Sequence, residues 1–385
     1  MTSTAQHLDN RAILVTALAT VGICDVAFGL TLQLQPLLME ARGIPAWLIG
    51  LNATMGAIGI LAIGPFLPNL VARFGSKTVA TVAIIAIVAT LLMMPAVPPP
   101  YWWFPLRFLM GMAIGSLFAV SETWILSIAT EQNRGRLMGI YTSTLSVTFA
   151  TGPMILPWTG IEGWTPWLIC AVCVALGLLP LSTLNAREVA EEGGKGGFLD
   201  VLRRAPVLFG CIAAATVFDN ILISFFTIFA ERNGVELSRA SWLLGVGIIA
   251  GVAFFYPIGM LADRWSKPGT VLVTALLTIL AALALKPMLA TFWAWPLVIV
   301  FITAAFGVYV VALAVIGDLF KGKDMVAASA AVAAMWGVGG IIGPPVAGRL
   351  IDLYSINVFP PVLAGIYVLV VAGLAVNRFQ IARPN

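Results

Sequence analysis

Two aspartates, Asp25 and Asp219, stand inside long apolar runs of this chain, and a carboxylate placed there has few possible uses. A charge at the centre of a hydrocarbon layer costs about 2.5–3.5 kcal/mol on insertion scales, so it needs a partner, water or a task. In a poorly hydrated cavity it can hold and release a proton, and a cationic or hydrogen-bonding solute can compete with that proton. Alternatively, each aspartate pairs with an arginine or caps a broken helix. Asp25, Gly29 and Gln33 recur every fourth residue, which puts them on one stripe of a helix. Thr216, Asp219 and Thr227 share a broader face in the same way.

Other polar residues fall into the same apolar surroundings. Arg107 can orient a carboxylate, polarise a proton donor or hold backbone carbonyls between helices. Tyr141, Thr144, Thr148 and Thr151 form a hydroxyl stripe that either walls a cavity or bonds back to the preceding turn. Phe226, Tyr309 and Trp336 can supply aromatic contacts to an amphipathic solute or a cation. Glu122 and Asp318 stand near the ends of their runs, where gating or capping is expected. Asp263 and Arg264 sit in a short polar loop, and Arg134 and Arg136 in another. Asp263 is expected to accept hydrogen bonds from the amides that open the fifth span, close to Arg134 and Arg136, as an inner latch. No nucleophile and base cluster emerges, so no catalytic residue is assigned. The Cys170-Ala-Val-Cys173 pair has no second pair and no nearby histidine, so neither a metal site nor a cofactor is assigned. His7 is read as a solvated residue of the polar N-terminal stretch.

The elements that position these groups follow from composition. Of 385 residues 60% are hydrophobic and 10% charged, with a mean hydropathy of +1.01. Soluble domains carry about 25% charged residues, so lipid is the solvent for most of this chain. Many runs approach the roughly 20 residues a helix needs to cross the bilayer. Helices satisfy their own amides there, whereas the alternating segments of about 10 residues typical of a barrel are not evident. The expectation is an all-α integral membrane protein of twelve transmembrane helices in two pseudo-symmetric six-helix bundles. Spans are expected near 12–34, 46–67, 78–96, 102–126, 137–158, 164–184, 207–230, 240–261, 269–289, 293–318, 326–350 and 357–378. Residues 1–184 form the first bundle, 185–205 a cytoplasmic tether rich in glycine, and 206–385 the second bundle. No removable signal peptide is read, and the four cysteines fall in apolar spans as small hydrophobes.

The halves repeat one another. Gly152-Pro153 recurs as Gly343-Pro344, and Gly111 with Glu122 recurs as Gly307 with Asp318 at unchanged internal spacing. The net charge of +4 is spread over short loops, which argues against a nucleic-acid partner. With both termini cytoplasmic, most of the 21 basic residues fall on the inner side, as the positive-inside rule asks. Trp102, Trp103, Trp293 and Trp295 are expected as outer interfacial anchors.

Three patterns resemble the major facilitator superfamily across essentially the whole chain. They are Gly259-Met-Leu-Ala-Asp263-Arg264-Trp-Ser-Lys267, Arg107-Phe-Leu-Met-Gly111-Met-Ala-Ile-Gly115, and Gly339-Gly-Ile-Ile-Gly343-Pro344. Two departures accompany them: Ala72 stands where the family usually has aspartate, and the span-five pattern is reduced to Thr148-Phe-Ala-Thr-Gly152-Pro153. Ala72 cannot reproduce the contact expected of Asp263, so the inner latch is expected to be asymmetric. Glu122 followed by Asn133-Arg134-Gly135-Arg136 resembles the YcaD-type branch. The resemblance implies two bundles that pivot about a shared central site, with the first span of each half facing it, and it links the Arg107 position to proton coupling in antiporters.

The expected function is secondary active transport of a small organic solute by alternating access, with protons as the coupling ion and efflux of an amphipathic or cationic compound as the specific form. Proton-coupled uptake is the alternative, with a membrane-embedded enzyme or a transport-fold receptor behind it. The expected setting is a monomer in the lipid bilayer of a bacterial inner membrane.

Overall fold

The computed structural model describes residues 3–97, 100–129, 133–183, 198–320 and 322–377. Among them are fifteen α-helices and no strand: α1 (Ser3–Ala41), α2 (Ala46–Ile63), α3 (Leu67–Phe74), α4 (Ser76–Ala96), α5 (Trp103–Ser127), α6 (Arg134–Thr159), α7 (Thr165–Leu176), α8 (Leu178–Thr183), α9 (Phe198–Arg204), α10 (Pro206–Arg232), α11 (Leu237–Arg264), α12 (Lys267–Met288), α13 (Ala294–Leu319), α14 (Gly322–Leu353) and α15 (Phe359–Val376). Eleven spans, one of them α7 and α8 in tandem, are long and apolar enough to cross a membrane. The twelfth is α6. Its 26 residues reach about 39 Å at 1.5 Å per residue, and its hydroxyl stripe and two arginines make it the most polar of the set.

The chain divides into two compact units. The first comprises Met1–Leu38 with Met55–Glu192, and the second Met39–Thr54 with Gly193–Asn385. Two boundaries differ from the sequence expectation for local reasons. The second span stops at Ile63 rather than near 67, because Gly64-Pro65 cannot continue the ladder, and α3 starts anew with a proline in its first turn. Part of the expected tether is helical: Phe198–Arg204 folds as α9, while 184–197 lies outside the described residues.

In the first unit, helices touch through glycines. An added Cβ at Gly29 would collide with the Phe149 carbonyl, and one at Gly152 with the Leu30 amide, so α1 and α6 meet backbone to backbone. Gly59 and Gly111 do the same for α2 and α5. Trp103 is fully buried, its indole NH donating to the Met94 carbonyl at 3.0 Å and its ring meeting Trp167 edge-on. It is therefore a core residue and not the interfacial anchor expected, whereas Trp102 and Trp293 are exposed. In the second unit, Phe218, Phe301 and Tyr367 pack edge to face, and the Tyr367 hydroxyl donates to Ala305 O at 2.8 Å. Cys24, Cys170 and Cys211 are buried and Cys173 half-buried.

Candidate functional site

In the first unit α1 carries Asp25 against α6. The carboxylate is 3% exposed and Oδ2 accepts from the Thr148 hydroxyl at 3.2 Å. This is possible because Gly22 and Gly29 leave room on α1 for α6 to approach: a Cβ on Gly22 would touch the Thr148 methyl at 3.2 Å. Behind Asp25 lies a cavity of about 10 Å³ lined by Cys24, Phe28, Thr31, Met110 and Phe118, about the smallest space that holds one water. Thr144 bonds back to Ile140 O at 2.8 Å and Thr151 to Thr148 O at 2.6 Å. Tyr141 is buried and shares a 3.0 Å hydrogen bond with Ser121, so it braces α6 on α5 rather than walling an open cavity. Gln33 is buried with both amide atoms lacking a hydrogen-bond partner.

Arg107 is 3% exposed, and its Nε and Nη1 have no hydrogen-bond partner. Gly56 makes its place: a Cβ there would lie 3.2 Å from the guanidinium Nε. No salt bridge to Arg107 exists among the described residues. Sequence reasoning named Arg107 and missed Gly56, for which the only signal was glycine recurrence along α2.

The second unit holds a different arrangement. Asp219 is half-buried on α10 and lies within electrostatic range of the Tyr309 and Tyr367 hydroxyls. Trp336 of α14 donates its indole NH to Tyr309 of α13 at 3.1 Å, and the two rings meet edge to face at 5.9 Å and 78°. Phe306 and Phe255 extend that aromatic wall. Thr216 fastens α10 to α14 by donating to Met335 O at 2.9 Å, where Gly339 admits its side chain. Asn220, adjoining Asp219 and not singled out from sequence, donates to Thr216 O at 2.8 Å. Phe226 is fully buried, so it packs the core of the unit instead of offering a ring to a solute. Among the described residues, no group of three His, Cys, Asp or Glu side chains can hold a metal ion.

The comparisons with known proteins point one way. The Major Facilitator Superfamily profile matches residues 16–309 and 207–384. The chain belongs to the Major Facilitator Superfamily. It is 24% identical over 378 residues to the uncharacterized MFS-type transporter YcaD of Salmonella typhimurium, covering 94% of this chain and 95% of that one. It is 26% identical over 349 residues to the uncharacterized MFS-type transporter Ent638_1421 of Enterobacter sp., covering 89% and 90%. Its fold is similar to that of the nucleoside transporter NupG, with a TM-score of 0.77 at 15% identity over 97% of this chain and all of that one. It is also similar to a bacterial homolog of the human lysosomal transporter Spinster in an inward-facing, occupied conformation, with a TM-score of 0.70 at 15% identity over 98% and 95%. The protein is thus a multi-pass membrane transporter with twelve spanning helices in two bundles, and not an enzyme.

Within this superfamily fold, the residues expected to gate lie at helix ends. Asp263 and Arg264 are exposed at the end of α11. Asp318, exposed near the end of α13, pairs with Lys267 at the start of α12, a contact the sequence did not reveal. Glu122 is exposed near the end of α5, and Arg136 is exposed on the first turn of α6. The Arg134 side chain lies outside the described residues.

Proposed function

We propose that the protein is a proton-coupled carrier that exports a small amphipathic organic cation by alternating access, both termini lying on the cytoplasmic side of a bacterial inner membrane. The observation that carries this reading is the division of labour between two carboxylates on equivalent helices. Asp25 is sealed from solvent beside a single hydroxyl and a water-sized void, which suits a proton and excludes an organic solute. Asp219 is partly exposed and within electrostatic range of Tyr309, whose ring meets Trp336, which suits a cation with an apolar body: the carboxylate answers its charge, and the ring faces answer both charge and area.

The chemistry asked of each group is modest. Asp25 needs only to take and return a proton, with Thr148 donating to the charged form and accepting from the neutral one. Arg107 adds a permanent positive charge in the same unit. As a buried cation it needs a compensating negative charge at some stage of the cycle. Thr216 and Asn220 hold the backbone that presents Asp219.

Purified protein in lipid vesicles with an imposed pH gradient tests the reading. A lipophilic quaternary ammonium dye should move against its own gradient at the expense of the proton gradient, and a protonophore should abolish that accumulation. Dye movement indifferent to the gradient removes proton coupling, and preference for an anionic analogue removes the cation.

A further inference from the structure

Residues Met39–Thr54, the end of α1, the loop after it and the first half of α2, pack in the second unit. What fastens them is a set of polar and backbone contacts. α2 follows Pro45, whose ring offers no acceptor, so no local side chain caps its first amides. Asp352, in the last turn of α14, does so from more than three hundred residues away. Its Oδ1 accepts from Ala46 N at 2.9 Å and its Oδ2 from Trp47 N at 2.9 Å. One oxygen on each of two free amides, at the positive end of a helix, is a charge-assisted cap.

Below this cap the two helices touch through glycines. A Cβ on Gly348 would collide with the Ala46 carbonyl and one on Gly50 with the Pro344 carbonyl. One turn further on, Thr54 Oγ1 reaches Gly340 O at 3.1 Å and Ile341 O at 3.2 Å. Beside it, Glu40 at the end of α1 pairs with Arg232 at the end of α10, with Nε to Oε1 at 2.6 Å. Asp352 is exposed and the Arg232 side chain is 54% exposed. Water can therefore replace both charged contacts at low cost. Glycine faces carry no interlocking side chains that would have to be unpacked. The surface is smooth where it touches and polar where it is fastened, which is what a contact made and broken repeatedly requires.

We propose that Asp352 is a releasable latch: its carboxylate holds the Met39–Thr54 segment on the second unit, and each transport cycle frees and recaptures the start of α2. The proposal rests on the alternating-access part of the functional reading and is independent of proton coupling and of the solute.

Thr54 is 3% exposed and serves as the reporter. In lipid nanodiscs, Thr54→Cys is labelled with a hydrophilic maleimide, with the native cysteines measured in the parent protein as background. With Asp352 present, labelling should be slow. Adding Asp352→Ala should raise the rate by about tenfold, because two charge-assisted bonds are lost, and Asp352→Asn, which keeps one acceptor, should raise it less. Equal labelling with and without the aspartate, in proteins of unchanged helix content, overturns the latch. Should Asp352→Ala fail to fold, Asp352→Asn carries the same comparison, with a few-fold rise expected and an unchanged rate counting against the proposal. The assay needs neither a solute nor a pH gradient, so failure of the cation-export reading leaves it intact.

Discussion

At the scale of single residues, the polar groups buried in this protein separate into those that are satisfied and those that are not, and the difference assigns tests. Asp219 is partly exposed and within electrostatic range of Tyr309, which accepts from Trp336. Asp219→Asn should weaken organic-cation binding about tenfold or more, the loss expected of one charge-assisted contact worth about 1.5–3 kcal/mol, and leave neutral solutes unaffected. Equilibrium binding of a cationic dye and its uncharged isostere gives the comparison. Arg107 is the reverse case, a buried cation whose Nε and Nη1 lack partners. Replacing an unpaired buried charge with an apolar chain of similar length is often neutral or stabilising. Arg107→Met should therefore melt no lower than the parent protein while transporting at least about tenfold more slowly, because the charge proposed to be paired during the cycle is gone. A fall of many degrees in melting temperature would show the guanidinium to be a structural brace instead.

Helix crossings determine where these residues meet, and there the sequence was only partly readable. Span positions were legible because hydropathy and length act locally, and even α6 could be placed although its hydroxyls make it polar. Asp25 stood out as a charge in an apolar run, but its partner did not. Thr148 meets it only because Gly29 and Gly152 bring α1 and α6 together from opposite ends of the first half. Asp352 carries no signal in the sequence because its chemistry lies in amides supplied from α2. The readable sign was Pro45, a helix start without a capping side chain. The crossings themselves predict a contrast. Gly29→Ala must push the Phe149 carbonyl away, an overpacking cost of about 1–3 kcal/mol. Gly210→Ala meets open space and should gain up to about 1 kcal/mol of helix propensity. Thermal melting in detergent should fall for the first and hold or rise for the second. The same response from both would mean that these glycines do not set the crossing.

For the molecule as a whole, the proposed coupling has to work between carboxylates carried by different units. Asp25 belongs to the first unit and Asp219 to the second, each held by contacts within its own bundle. If the proton resides on one and the cation on the other, they do not exchange places on a single group. Each biases the conformational equilibrium of the carrier, and linkage then requires the proton to alter cation affinity by the same factor as the cation alters proton affinity. Protons released on cation binding can be counted by calorimetry in two buffers of different ionisation enthalpy. The parent protein should release a fraction of a proton that varies with pH as it binds the dye. Asp25→Asn should bind the dye with heat independent of the buffer, because the group that would have lost its proton is gone while the cation's own carboxylate remains. If Asp25→Asn still releases as much proton as the parent, the proton comes from elsewhere, and Asp219 itself becomes the group over which proton and cation compete.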